Sequence, residues 1–408
     1  MPKILITGNG FDLYHGLPTT YNDFMWFIEN FEAHQLKFEA YIESKNKKRL
    51  SNICIKKIDD KSLFKINSIS AKNVWYKYFK NEKNIDSWID FENAIEKVII
   101  ILNGFIEISE KKIFPYQFSN ISFKLFPIKD FFNSYYEAEI LASLKIISIY
   151  DNRFSINNKL IDIKSKEAIS FNTSACIKIL LNELDDFKSL FSIYLNSIVK
   201  QLYDQYEIQN HIPLDNIDYH FTFNYTETFK YLYKKIPTDH IHGKSSTGDG
   251  RNIVLGIDDN ESLIKKNNEF MRFFKFYQTI SLKTEYKFLY NLELVKPKPL
   301  NYIFFIWGHS LDRSDSTYIN DLFDYVKSLV LKKASISKIV ILYHNSESYK
   351  NLLINIFSLR GRKEIDDLIK KEDLIFLSLK NHRQKIKQLL SEDFDHFLST
   401  EINFRNLL

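Results

Sequence analysis

"ILITGNGFDLYHGLP", residues 4 to 18, decides how this chain folds. Ile4, Leu5, Ile6 and Thr7 are apolar or β-branched and stop at Gly8, the pattern of a strand buried on both faces. Gly8 and Gly10 then stand two apart where a helix would begin. A strand, a glycine turn and a helix N-terminus can cradle a phosphate, because the backbone comes close and free N–H groups face the ligand. The dinucleotide fingerprint needs a third glycine at position 13, where this chain has Leu13. It also needs a second strand ending in an acid about twenty residues on, where this chain reads as helix. A dehydrogenase loop is thus a poor match, and a bare strand-to-helix turn stands beside the nucleotide reading.

One strand cannot bury itself, so its partners must lie elsewhere. Residues 31 to about 214 read mostly as helix, and the stretch 45 to 75 as loops and short helices. The clearest helix is 177 to 202, where Ile177, Leu180, Leu181, Leu184, Phe187, Phe191, Tyr194, Leu195, Ile198 and Leu202 recur at three and four. After Pro213 the texture changes. Strand-like runs at 217–223, 238–242, 253–257, 302–308, 338–343 and 373–378 alternate with helical patterns at 226–235, 261–291, 316–333, 347–358 and 380–398. That alternation implies βαβ units and a parallel sheet. The expected architecture is α/β. Residues 1–20 and 215–408 form a Rossmann-like parallel sheet domain, and 21–214 form a large, mostly α-helical insertion domain.

The 408 residues are 45% hydrophobic and unusually aromatic, with 35 Phe and 24 Tyr, while 10 Gly and 8 Pro leave little for flexible linkers. A net charge of +5 allows an anionic ligand without marking a nucleic-acid surface. The two cysteines, Cys54 and Cys176, form no C-x-x-C pair, so neither a disulfide framework nor a structural zinc site is expected, and no metal is called for. The chain enters a strand directly after Met-Pro-Lys, with no room for a signal peptide, and no apolar run reaches the ~18 residues of a membrane span. A soluble, cytoplasmic protein without a membrane partner is expected.

The full pattern from Gly8 to Pro18 resembles the sirtuin signature, in which Gly-Ala-Gly and a later Gly-Ile/Leu-Pro hold NAD. Gly8, Gly10, Gly16, Leu17 and Pro18 match in spacing, while Asn9 and Asp12 replace the family's Ala and Ser. Three more matches follow in order: Thr222-Phe223-Asn224-Tyr225-Thr226 at a strand end, His242-Gly243 within "HIHGK", and Gly308-His309-Ser310 within "IWGHSL". The wording of several stretches also resembles the bacterial abortive-infection H (AbiH) family of phage-defence proteins. It lies in "GNGFDLxHGLPTxYxxF", "WxDFE" (Trp88, Asp90, Phe91, Glu92), "FNYT", "HIHG", "LGIDD" and "GHSLxxxD". That resemblance implies a defence role. The sirtuin-like one implies a nucleotide site with NAD as substrate or ligand, and nicotinamide–ribose cleavage as the reaction.

Nicotinamide leaves as a neutral molecule through an oxocarbenium-like transition state. The protein must then hold the pyrophosphate and ribose and place one nucleophile. The resemblance makes Asn224 the group that positions water or a ribose hydroxyl and His242 the general base. Gly8, Asn9, Gly10, Phe11, Asp12, Gly16, Pro18, Thr222, Tyr225, Gly308 and Ser310 are the expected cofactor-binding residues. Asn224 could equally cap the following helix. His240, two residues before His242, shares its strand face and competes for the role. His15 and His309 read as loop or packing residues. Asp258 and Asp259 could touch ribose or simply form a turn. Trp88, Asp90 and Glu92 read as a helix start, with a lid over the nucleotide as the alternative. The absence of two cysteine pairs disfavours deacetylase chemistry. Expected partners are a small nucleotide, a phage-derived trigger acting on the helical region and a second copy of the chain. The competing function is a non-catalytic nucleotide sensor that signals infection to a partner. The mild charge counts against a nucleic-acid effector.

Overall fold

A computed structural model of the protein describes residues 1–30, 58–82, 85, 88–111, 114–115, 125–165, 168–205, 212–245, 252–258, 263, 268–284, 288–292, 301–330 and 337–391. Six strands form one sheet: β1 (Lys3–Thr7), β2 (Tyr219–Thr222), β3 (Thr238–His240), β4 (Ile303–Trp307), β5 (Lys338–Tyr343) and β6 (Leu374–Ser378). Their order in space is β6-β5-β4-β1-β2-β3, and every pairing is parallel. Counted from β3 this is 3-2-1-4-5-6, the doubly wound order, whose winding reverses between β1 and β4. In register, Leu5 lies opposite His220 on one side and Phe305 on the other.

The strands form here because their side chains can be buried on both faces. Ile4 and Ile6 point to the same face as Phe304, Ile306, Ile339 and Ile341. Leu5 points to the other with Ile303, Phe305, Trp307, Val340 and Leu342. The first face is covered by helices Ser316–Val330 and Ser346–Arg360, through Ile319, Leu322, Phe323, Leu352 and Ile356. The second is covered by Phe229 of Thr228–Leu232 and by Ile386, Leu389 and Leu390 of Arg383–Leu390. Each such side chain contributes about 1.5–3 kcal/mol of burial.

The chain between β1 and β2 builds its own core. Helices Tyr21–Asn30, Asp60–Ser70, Val74–Asn81, Trp88–Lys111, Tyr135–Ser143 and Thr173–Ser197 share one hydrophobic core. Phe91, Ile95, Val98, Leu102 and Phe105 recur at three and four along Trp88–Lys111 and are all buried. This region also holds two small antiparallel sheets that a mostly helical reading does not anticipate. One pairs Phe126–Pro127, Arg153–Ile156 and Ile147–Tyr150, and the other pairs Phe114–Pro115, Ala168–Phe171 and Ile161–Ser165. The hairpin Ile147–Ile156 turns at Asp151, whose φ of 52° is the left-handed value that tight hairpin turns require.

The run 253–257, read as a strand, joins no sheet. Its Ile253, Leu255 and Ile257 pack into the helical core with Phe270, Phe273 and Phe274, and Ile257 makes one isolated bridge to Phe274. Segments downstream of β3 therefore seal against the helices that precede β2. Among the described residues, no helix is long and apolar enough to cross a membrane.

Candidate active site

The turns after β1 and β4 meet where the sheet's winding reverses, and glycine is what lets them touch. Gly8 N–H donates to Trp307 O (3.1 Å) and Gly10 N–H to Gly308 O (2.8 Å). A Cβ on Gly8 would stand 2.7 Å from His309 Cα, and one on Gly10 2.8 Å from Gly308 Cα. Gly308 takes a φ of +73°, which side chains avoid. Phe11 N–H donates back to Gly8 O (2.9 Å), and the helix that follows, Asn9–Tyr14, has only six residues. The glycine pair thus serves contact between two loops, and protein acceptors take up most of the amides that a phosphate would use.

Beside these turns lies a cavity of about 1020 Å³, at the upper end of small-molecule sites, which run to about 1,000 Å³. Gly8, Asn9, Gly10, Asp12, Asn224, Tyr225, His242, Gly308 and Ser310 line it. Phe11, Gly16, Pro18 and Thr222 do not. Phe11 lies beneath the turn, edge-on to Trp307 with ring centroids 5.0 Å apart. Gly16 follows the first helix with a φ of +77°, and Pro18 O accepts from Tyr194 Oη (2.6 Å). The Thr222 hydroxyl accepts from Thr7 Oγ1 (2.8 Å) and from Asn224 N–H (3.1 Å), tying β2 to β1. His240 sets Nδ1 against Asn224 O (3.2 Å), and His15 is held by Phe11 O (2.7 Å) and Tyr233 Oη (2.8 Å). Asp258 accepts from Ser316 Oγ (2.8 Å), and Asp259 lies outside the described residues.

Asn224 is buried just beyond β2 and donates Nδ2 to Gly8 O (3.0 Å). That bond fixes the carboxamide and leaves its oxygen as the acceptor for a ligand. Asp12 is fully buried. Its Oδ2 accepts from Thr226 Oγ1 (2.6 Å), which accepts from Thr228 Oγ1 (3.2 Å), and Thr228 meets Tyr203 Oη (3.1 Å). Among the described residues, Oδ1 of Asp12 has no hydrogen-bond partner. Burial pushes this carboxyl up to about 6, against the lowering effect of the nearby Thr226, Thr228 and Asn224 side chains.

A second buried group faces the same cavity. Lys275 Nζ lies 2.8 Å from Glu92 Oε2, 3.1 Å from Asp315 Oδ1 and 3.0 Å from Ser314 O. Asp315 in turn meets two imidazoles, Oδ1 with His242 Nε2 at 3.1 Å and Oδ2 with His309 Nε2 at 3.3 Å. His309 Nδ1 accepts from Leu311 N–H (2.9 Å), so its remaining proton is on Nε2, toward Asp315. Both His309 nitrogens are therefore committed. The His242 contact is close but out of line for a well-formed hydrogen bond.

Burial lowers the His242 pKa, partly offset by Asp315, and the ring is neutral at physiological pH. Burial alone would raise Asp315, but Lys275 and the two histidines outweigh it and hold the carboxyl well below the usual range. Burial would lower Lys275, yet Asp315 and Glu92 together raise it. Glu92 is pushed up to about 7 by burial, with Asp315 adding to the rise and Lys275 opposing it. Among the described residues, no group of three or more His, Cys, Asp or Glu side chains is arranged to hold a metal ion.

Lys275 and Asp315 carry no assigned role in the sequence, and Glu92 is read there only as part of a helix start or a lid. Glu92 and Asp315 do stand inside "WxDFE" and "GHSLxxxD", the wording of the AbiH resemblance, and that was their only signal. Lys275 had none. Trp88, read as a helix start, faces the cavity and donates Nε1 to Thr19 O (3.0 Å). His309, read as packing, also lines it.

The family model for bacteriophage abortive infection AbiH matches residues 4–336. That range begins in β1 and takes in every residue of both buried groups. No curated protein and no solved structure matches the chain. The match takes in β1 to β4 and the loops that close on them, and the chain belongs to the AbiH family, which implies a role in bacteriophage abortive infection.

Proposed function

We propose that the protein aborts infection by hydrolysing the nicotinamide–ribosyl bond of NAD, or the corresponding bond of a related nucleotide. One observation carries this reading. Asn224 and His242, from the segments that follow β2 and β3, line the same cavity as the turn after β1, at the reversal point of a doubly wound sheet. Such sheets bind ligands beyond the carboxyl ends of their strands at that point.

The chemistry follows from the groups present. The C1′–N bond breaks and its electron pair leaves with nicotinamide, so no acid is required at the leaving group. Water adds to C1′ and loses a proton to neutral His242. Asp315, beside the ring, stabilises the imidazolium that forms, as a buried carboxylate does in a serine-hydrolase triad. The Asn224 oxygen accepts from the water or a ribose hydroxyl. Asp12, ionised above about pH 6, offers Oδ1 to ribose and to the positive charge that develops at C1′.

Incubating the purified protein with NAD and following free nicotinamide tests the reading. Release that is lost in N224A and H242A supports it. Tight NAD binding without release in the presence of infected-cell extract rejects catalysis and favours the sensing scaffold.

A further inference from the structure

We propose that Asp315 and Lys275 are positioning residues for His242: the carboxylate fixes the ring, and the ammonium, tied down by Glu92, keeps the ring free of a proton. The inference rests on His242 being the base, but its test reads the imidazole itself and needs no turnover.

The geometry separates the two histidines. His309 spends Nδ1 on Leu311 N–H and turns Nε2 to Asp315, so both of its nitrogens are engaged and it braces the carboxylate. His242 also turns Nε2 to Asp315 at 3.1 Å, out of line for a well-formed hydrogen bond, which leaves Nδ1 as the nitrogen turned away from the carboxylate. Nδ1 is therefore the basic atom, and Asp315 is the shared anchor of both rings. Lys275 is the counter-charge of that anchor at 3.1 Å. It is 3% exposed and must be held by buried acceptors. Glu92 at 2.8 Å and Ser314 O at 3.0 Å supply them.

The groups facing His242 are Asp315 and His309 from the segment after β4, Tyr318 from Ser316–Val330, Tyr225 from the segment after β2, and Lys275. Those facing Glu92 are Lys275, Asp315, Ser314 and Tyr225. Among the described residues, Lys275 is the one cation of fixed charge in either set. Removing it raises the affinity of the ring for a proton, and removing the Asp315 charge lowers it. Glu92 projects from Trp88–Lys111, so the helices between β1 and β2 supply part of the machinery that tunes the base.

The experiment is an NMR titration of the protein labelled with [ε1-13C]histidine, with H242A assigning the resonance. K275M raises the His242 midpoint and D315N lowers it, each by about one unit. K275R, which keeps the charge, leaves the midpoint near that of the parent. A midpoint that stays put or falls in K275M, or stays put or rises in D315N, overturns the proposal. Should K275M not fold, K275M/E92Q, which removes one of the stranded carboxylates, makes the same comparison. The isosteric D315N decides alone if neither folds. A protein that shows these shifts but never cleaves NAD retains the positioning assignment and loses the reaction.

Discussion

Asp12 gives a prediction whose size follows from the structure. Its carboxyl rises from 3.8 to about 6 on folding, mainly through burial. The folded chain therefore binds this proton more tightly than the unfolded chain, and stability falls as pH rises from about 4 through about 6. Above that window the full penalty remains, about 3 kcal/mol for a fully buried group. Asp12→Asn removes the charge and keeps an acceptor for Thr226 Oγ1, at the cost of an amide N–H2 where Oδ1 has no partner. An unpaired buried donor costs about 1–3 kcal/mol, and that cost does not depend on pH. The pH-dependent part is therefore the clean signal. Urea unfolding of both proteins should show D12N gaining on the parent by about 1.5 kcal/mol between about pH 5 and about pH 8. A stability difference that stays flat across that range would refute a buried, charge-penalised carboxylate at this position. Nicotinamide release by D12N should be impaired at the pH where the variant is more stable, since site chemistry and stability oppose one another there.

Other outcomes follow from the same geometry. His242→Ala should lower kcat/KM for NAD by about 10²–10⁴-fold, as loss of a general base does, and Asn224→Ala should also abolish cleavage; steady-state nicotinamide assays check both. Gly308→Ala forces a side chain onto a φ of +73° with its Cβ 2.1 Å from Phe11 N, and should cost about 3 kcal/mol or more in denaturant unfolding. Thr222→Val leaves Thr7 Oγ1 and Asn224 N–H without their shared acceptor, and should cost about 1–3 kcal/mol of stability while NAD affinity by calorimetry changes little.

Much of the fold was legible because four of the six sheet strands, β1, β4, β5 and β6, are short and largely apolar runs. Ile4–Thr7 and Ile303–Trp307 carry the signal alone, and their pairing follows from the need to bury both faces. The four-residue strands Ile147–Tyr150 and Arg153–Ile156 were not legible, because they are shorter than the window over which a helical average is taken. Helix Arg362–Lys370 was missed although Ile365, Leu368 and Ile369 recur at three and four, because nine residues hold only one such repeat. In the site, Asn224 and His242 follow strands and adjoin recognisable motifs. The glycine pair was visible, but a motif cannot say which backbone comes close, and here it is the Gly308 turn. The Glu92–Lys275–Asp315 contacts join residues far apart in sequence, and no local period records them. One buried lysine looks like any other among the solvated ones.

On the proposed function, this cavity cleaves a nucleotide when infection occurs. NAD measured in bacteria carrying the intact protein, through the course of phage infection, tests it without knowledge of the trigger. NAD that collapses with the intact protein and holds steady with His242→Ala or Asn224→Ala is the expected result. Infection that is still aborted while NAD and related nucleotides keep their level would contradict it.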